Sequence, residues 1–163
     1  MMPSTQKIRT CLWFDKEAEE AANFYVSLFD NSRVLGLSRY GKGMPLPEGT
    51  VMTIDFELSG TRFMGLNGGP VFKFTEASSM IAECDSQAEI DRLWTALLAD
   101  GGSEQQCGWL KDRYGLSWQI VPARLSELMK GATPAQSQRV MGALMRMVKL
   151  DIAGLEAAYS AAD

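Results

Sequence analysis

QQCGWLKDRYGLSWQIVP, residues 105 to 122, decides how this chain folds. It reads as a strand, a tight turn at Asp112-Arg113-Tyr114-Gly115, and a second strand with alternating polar and apolar residues. In that second strand Gln119 falls two residues after Ser117 and therefore on the same face of the pleat. The segments upstream supply the strands on which such a hairpin closes.

SSMIAEC (78 to 84) reads as a strand. Ser86 and Glu89 then form a capping box that opens a helix, with Ile90, Leu93, Trp94 and Leu97 on its inner side and Gly101-Gly102 at its end. With short strands and the hairpin this makes one βαβββ module. An earlier stretch repeats the pattern. IRTCLWF (8 to 14) alternates as a strand with Ile8, Thr10, Leu12 and Phe14 on one face. Asp15 is the predicted cap of a helix in which Ala18, Ala21, Ala22, Tyr25, Leu28 and Phe29 recur at helical spacing. Asn31-Ser32 breaks that helix, and residues 33 to 40 return as a strand. GKGMPLPEG (41 to 49) is a loop by composition, and VMTIDFELSGTRFMGLN is a hairpin around Ser59-Gly60. In it Met52, Ile54, Phe56 and Leu58 face one way, while Thr53, Asp55 and Glu57 face the other.

The expected fold class is therefore α+β: two βαβββ modules, 5 to 70 and 71 to 122, in a single domain 1 to 163. Residues 123 to 163 form a helical C-terminal extension. Leu125, Leu128 and Met129 mark a short helical turn, and Thr133-Pro134 gives an N-cap with a first-turn proline. An apolar stripe follows at Val140, Met141, Leu144, Met145 and Val148, then Ile152, Leu155 and Tyr159 on one side of a last helix. The tail is too apolar for a linker, so it packs on its own sheet or docks on a second subunit.

Composition removes several classes of function. A net charge of -4 and a pI near 4.9 argue against nucleic acid and anionic membranes as partners. No apolar run approaches the roughly 20 residues that span a bilayer, and the N-terminal sequence lacks the apolar segment of a signal peptide. A cytoplasmic location is the expectation, with Cys11, Cys84 and Cys107 as reduced thiols. The chain contains no histidine. That removes Ser-His-Asp and Cys-His nucleophile systems and two-His-one-carboxylate iron sites. Any acid or base work falls to Asp, Glu, Lys, Tyr or Cys.

The segments CLWFDKEAEEAANFYVSLF (11 to 29), NSRV (31 to 34), LNGGPVFKFTEASS (66 to 79) and QCGWLKDRYGLSWQIVP (106 to 122) resemble the PhnB-like family. This is a branch of the vicinal oxygen chelate (glyoxalase/bleomycin resistance/dioxygenase) superfamily, whose members often carry the label 3-demethylubiquinone-9 3-methyltransferase. The resemblance is read over nearly the whole chain, tail included. It implies two βαβββ modules, a cup-shaped site and a homodimer. It also implies a metal-binding Glu on the last strand, where this chain has Gln119. The other metal positions fall on or near Thr10, Ser78 or Ser79, and Asn67, all neutral donors that leave a divalent charge uncompensated. No metal and no cofactor are therefore expected. The methyltransferase label lacks its glycine-rich turn between strand and helix: GKGMPLPEG is full of proline, and Pro70 follows NGG at once.

The candidate ligand-binding residues are Thr10, Trp13, Asn67, Phe72, Phe74, Trp109, Trp118 and Gln119. Aromatic walls with a few polar groups are the makings of a small-molecule pocket. Phe72 and Phe74 flank Lys73, which on a strand puts both rings on one face. Cys107 lies near Lys111 and Arg113 in sequence, cations able to activate a thiol, although a small buried side chain is the commoner role. The leading expectation is a metal-free cup for a small, partly aromatic or hydrophobic molecule. One alternative is an enzyme that recruits Asp55, Glu57, Glu76, Asp112 or Tyr114, marked by a raised carboxylate pKa. Another is a dimeric module whose tail is an interaction surface.

Overall fold

The computed structural model describes residues 5–162, in two compact units divided between Lys73 and Phe74. The first contains β1 (Thr10–Phe14), α1 (Ala18–Leu28), β2 (Arg33–Arg39), β3 (Val51–Leu58) and β4 (Thr61–Asn67). Its sheet runs β1-β4-β3-β2, with β1 parallel to β4 and the remaining pairs antiparallel. The helix can lie close on this sheet because the contact is made of small residues. Ala18, Ala21 and Ala22 are buried, and a Cβ on Gly65 would stand 3.0 Å from Ile54 and 3.3 Å from Ala18. Tyr25, Leu28, Ile54, Phe56, Leu58 and Phe63 fill the remaining space, with the Phe56 and Phe63 rings stacked 5.6 Å apart. Burying each large apolar side chain contributes about 1.5–3 kcal/mol.

The second unit repeats the order: β5 (Ser79–Cys84), α2 (Gln87–Leu98), β6 (Ser103–Glu104), β7 (Trp109–Lys111) and β8 (Ser117–Pro122). Its sheet runs β5-β8-β7-β6, again with the first pair parallel. Ile90, Leu93, Trp94 and Leu97 of α2 are buried, together with Leu110, Trp118 and Ile120 of the sheet. The repeat and its α+β class are as the sequence implies.

Three helices follow without a linker: α3 (Ala123–Lys130), α4 (Pro134–Met145) and α5 (Ile152–Ser160). Thr133 caps α4 in a full capping box with Gln136. Leu128, Val140, Leu144, Leu150 and Leu155 form a core cluster against which Cys107 and Val121 of the same unit pack. Backbone bonds join the parts: the Cys107 and Gly108 N–H groups donate to Met147 O at 2.9 Å and Val148 O at 2.7 Å. Gly108 has φ +82, and a Cβ there would meet Leu150 at 2.9 Å and the Ile120 carbonyl at 3.0 Å. The tail thus packs on its own unit, while Met141 and Met145 of the predicted stripe remain exposed.

Some local predictions need correction. The first strand begins at Thr10, leaving Ile8 exposed. Asp15 does not cap α1. The helix starts at Ala18 after Glu17, with no cap from its own segment, and Asn67 of β4 accepts the Ala18 N–H through Oδ1 at 2.9 Å. Ser86 does accept the Glu89 N–H at 3.2 Å, but the Glu89 carboxylate turns to Asp85 N–H at 2.9 Å, so the box is half formed. Residues 68 to 78 form no strand, so the alternation invoked for Phe72 and Phe74 has no pleat to act on. The short turn predicted at Leu125 is the full helix α3.

Candidate functional site

Sheet register divides the predicted site residues. In the second unit Trp118, Ile120 and Leu110 face α2, a face fixed by Trp94 Nε1 donating to Glu104 Oε1 at 3.2 Å, since Glu104 pairs with Leu110. The opposite face carries the alternate residues. Ser79 lies beside Ser117, Ile81 beside Gln119, Trp109 beside Gln119 and Lys111 beside Ser117. The C-terminal helical cluster packs against Val121 at one end of this side, while Ile81 is 61% exposed on it.

Gln119, a predicted site residue, donates through Nε2 to Ser79 Oγ at 2.9 Å. Trp109, also predicted, stands beside it half-buried. Ser117 completes the group with no exposed surface and no hydrogen-bond partner for its Oγ. At one margin Lys111 Nζ meets Glu76 Oε1 at 2.5 Å, and Gln105 Nε2 reaches the same oxygen at 3.3 Å. The Lys111 contact is the main cause that holds the Glu76 carboxyl below its usual range; its own backbone N–H and Gln105 add to it. Glu76 is therefore ionised near neutrality and cannot serve as a proton donor there.

Trp118 belongs to the other face and is only 2% exposed. Its indole N–H donates to Asp112 Oδ2 at 2.9 Å, and Asp112 Oδ1 accepts from the Tyr114 and Leu116 backbone at 2.8 and 3.1 Å. Trp118 is a core residue and Asp112 a turn organiser, so neither is free for a ligand or for catalysis.

The first unit divides the same way. Thr10 pairs with Phe63 and shares the α1-facing side with Leu12 and Phe14, not the side of Trp13. Asn67 is 2% exposed, and its amide is spent on Ala18 N–H and on Val51 O, the latter at 3.0 Å. Its backbone carbonyl accepts the Tyr40 hydroxyl at 2.7 Å. Trp13 does point away from α1. Its Nε1 donates to Gly69 O at 2.9 Å, its ring lies where a Gly68 Cβ would come within 2.5 Å, and Phe72 meets it edge-on at 4.9 Å. Phe72 is 62% exposed. Phe74 belongs to the second unit and is half-buried.

The acidic alternatives are committed as well. Glu57 bonds Arg33 at 2.8 Å, whereas Asp55 Oδ1 lies 3.6 Å from Arg9 Nε, a charge contact without a hydrogen bond. Near Cys107, Lys111 and Arg113 are turned to Glu76 and Asp100. The Cys107 thiol instead lies 3.8 Å from the Met145 sulfur. Among the described residues no three Cys, Asp or Glu side chains converge as a metal-ligating group, and no helix is long and apolar enough to cross a membrane. Sequence reasoning gave Ser79 only as a neutral metal position and left Ser117 without a role. The parity that placed Gln119 on Ser117's face is the signal that marks Ser117.

A sequence profile of the family described as 3-demethylubiquinone-9 3-methyltransferase matches residues 6–121. Comparison with curated proteins gives no match. Among solved structures, a putative 3-demethylubiquinone-9 3-methyltransferase, PhnB protein, from Bacillus cereus is 41% identical, with a TM-score of 0.67 over 72% of this chain and 100% of its own. A protein from Pseudomonas aeruginosa is 22% identical, with a TM-score of 0.59 over 72% of this chain and 98% of its own. The fosfomycin resistance protein FosX from Listeria monocytogenes is 16% identical, with a TM-score of 0.55 over 76% of this chain and 95% of its own. The last two speak for the fold alone. The profile match ends at residue 121, short of the helices α3 to α5. On the matched residues and the paired four-stranded sheets, the chain belongs to the PhnB-like, 3-demethylubiquinone-9 3-methyltransferase family of the vicinal oxygen chelate superfamily.

Proposed function

We propose that the protein binds a small, partly aromatic or hydrophobic molecule on the face of the second sheet turned away from α2, without a metal ion. The observation that carries this reading is the Gln119–Ser79 hydrogen bond set between Trp109 and the exposed Ile81. Polar groups fixed beside an aromatic wall orient a ligand, and the wall supplies the contact area. Sequestration of a toxic compound is one concrete form of such a function, and it needs no catalytic group. A cytoplasmic homodimer is the working form that goes with this proposal.

The superfamily's divalent metal does not fit these residues. Ser79 and Gln119 are neutral donors, and Asp55 and Glu57 are turned to arginines. Neutral oxygen donors alone leave the ion's charge uncompensated. The methyl donor implied by the family's description fits no better. It calls for a glycine-rich turn from a strand into a helix. Here residues 41–49 join two antiparallel strands, and Gly68-Gly69 leads from β4 into irregular chain.

Native mass spectrometry of untagged protein, purified gently and without chelator, tests the proposal. The expected result is a metal-free dimer, bare or carrying an organic adduct. A stoichiometric divalent metal on every subunit would overturn the metal-free reading and turn attention to Asp and Glu ligands.

A further inference from the structure

We infer that this face takes an uncharged molecule bearing a hydrogen-bond donor and acceptor side by side, as a carboxamide does, with Ser117 as its innermost anchor. The inference rests on the binding reading above and narrows it to a ligand class.

Ser117 is 0% exposed and its Oγ has no hydrogen-bond partner in the structure. A buried hydroxyl left unpaired is costly, and folded proteins rarely keep one without a use for it. Its neighbours explain the use. Ser79 stands beside it on β5 and Lys111 on β7, with Gln119 two residues along β8. The bond from Gln119 Nε2 to Ser79 Oγ leaves the Ser79 hydroxyl hydrogen and the Gln119 Oε1 available. Two hydroxyls and an amide thus offer donors and acceptors within one small area.

Charge narrows the class further. The cation next to Ser117 is Lys111, and Glu76 neutralises it at 2.5 Å. Glu83, the other charge of this face, lies opposite Val121 at the far end of β5. A carboxylate or an ammonium brought to Ser117 would lose its hydration without a free counter-charge, a cost neutral groups do not bear. Trp109 beside Gln119 gives the flat wall for the rest of the molecule. Because Ser117 has no exposed surface, access requires a neighbour to turn aside. Gln119, two residues along β8 and held by one side-chain bond, swings out for entry and returns to Ser79 once the molecule is seated.

Four probes of one ring size decide the matter on the full chain: benzamide, benzoate, benzamidine and toluene. Binding is read from tryptophan fluorescence, with Trp109→Phe assigning the signal. Benzamide is expected to bind at least tenfold more tightly than the other three. Ser117→Ala should weaken benzamide about tenfold and leave toluene unchanged, while its thermal midpoint stays level or rises because the lost hydroxyl had no partner. Benzoate or benzamidine binding as tightly as benzamide would overturn the charge argument. An unchanged benzamide affinity in Ser117→Ala would overturn the anchor, and in both cases the binding reading survives. If no probe binds, the inference is overturned, whereas an organic adduct in the native mass spectrum keeps the broader reading standing without it.

Discussion

The Asp112 carboxylate and the Trp118 indole N–H meet at 2.9 Å inside the second unit, each residue only 2% exposed. One carboxylate thereby ties the hairpin turn to the core, because its other oxygen holds the Tyr114 and Leu116 N–H groups. Asp112→Ala strands three donors at once. Since hydrogen bonds to a buried charge are worth about 1.5–3 kcal/mol each, a loss of at least about 3 kcal/mol is expected. Urea unfolding should show it as a lowered midpoint, with Asp112→Asn less affected because one acceptor oxygen remains. A change below about 1 kcal/mol in Asp112→Ala would contradict this account.

Asn67 caps a helix from a distant strand. Removing its amide leaves Ala18 N–H without its acceptor and Val51 O without its side-chain donor. Asn67→Ala should cost about 2 kcal/mol. Asn67→Asp retains the acceptor and adds a charge favourable to a helix start, but forfeits the bond to Val51. It should therefore fall between the wild type and the alanine variant in the same unfolding assay.

Gly68 is the seat of the Trp13 ring. A methyl group there would lie 2.2 Å from the nearest ring carbon. Gly68→Ala must displace the indole and with it the Trp13–Gly69 bond and the Phe72 edge contact. A destabilisation of about 1–3 kcal/mol is expected for such overpacking. The change should appear together with a shift of Trp13 fluorescence, measured against Trp13→Phe. An unshifted spectrum would mean the ring rests elsewhere.

Cys84 is fully buried, and that burial, helped by the nearby Glu89 carboxylate, pushes its thiol up to about 12 from an ordinary 9.0. The folded state therefore holds the proton more tightly than the unfolded chain. Its contribution is fully present below about pH 9 and is lost as pH rises toward about 12. Cys84→Ala should start from a lower stability, because it leaves a small cavity, yet lose less between those two pH values. Parallel alkaline unfolding curves for the two proteins would rule the effect out. In the native protein Cys84 should also resist alkylation at pH 8, which mass mapping of the labelled cysteines reports.

Both modules were legible from alternation and helical spacing because strands such as β3 bury alternate residues, Ile54, Phe56 and Leu58. The site was less so, and the reason is parity. The sequence places Trp118 and Gln119 side by side, but a pleat sends neighbours to opposite faces, one to α2 and one away from it. Thr10 and Trp13 divide likewise. Asn67 shows a second limit: its partner Ala18 is 49 residues away, so a cap that looks absent in the helix's own segment is supplied by another strand. Exposed acids were legible as residues but not as ion pairs, since Arg33–Glu57 and Lys111–Glu76 are matched across separate elements.

The bonds from Cys107 and Gly108 to Met147 and Val148 separate two boundaries that are easily treated as one. The family profile ends at residue 121, yet Leu150 sits with no exposed surface against a glycine inside the matched segment. A fragment ending at residue 121 would leave the Cys107 and Gly108 N–H groups without the Met147 and Val148 carbonyls and Gly108 without Leu150 against it, so it would not form a complete cooperative unit.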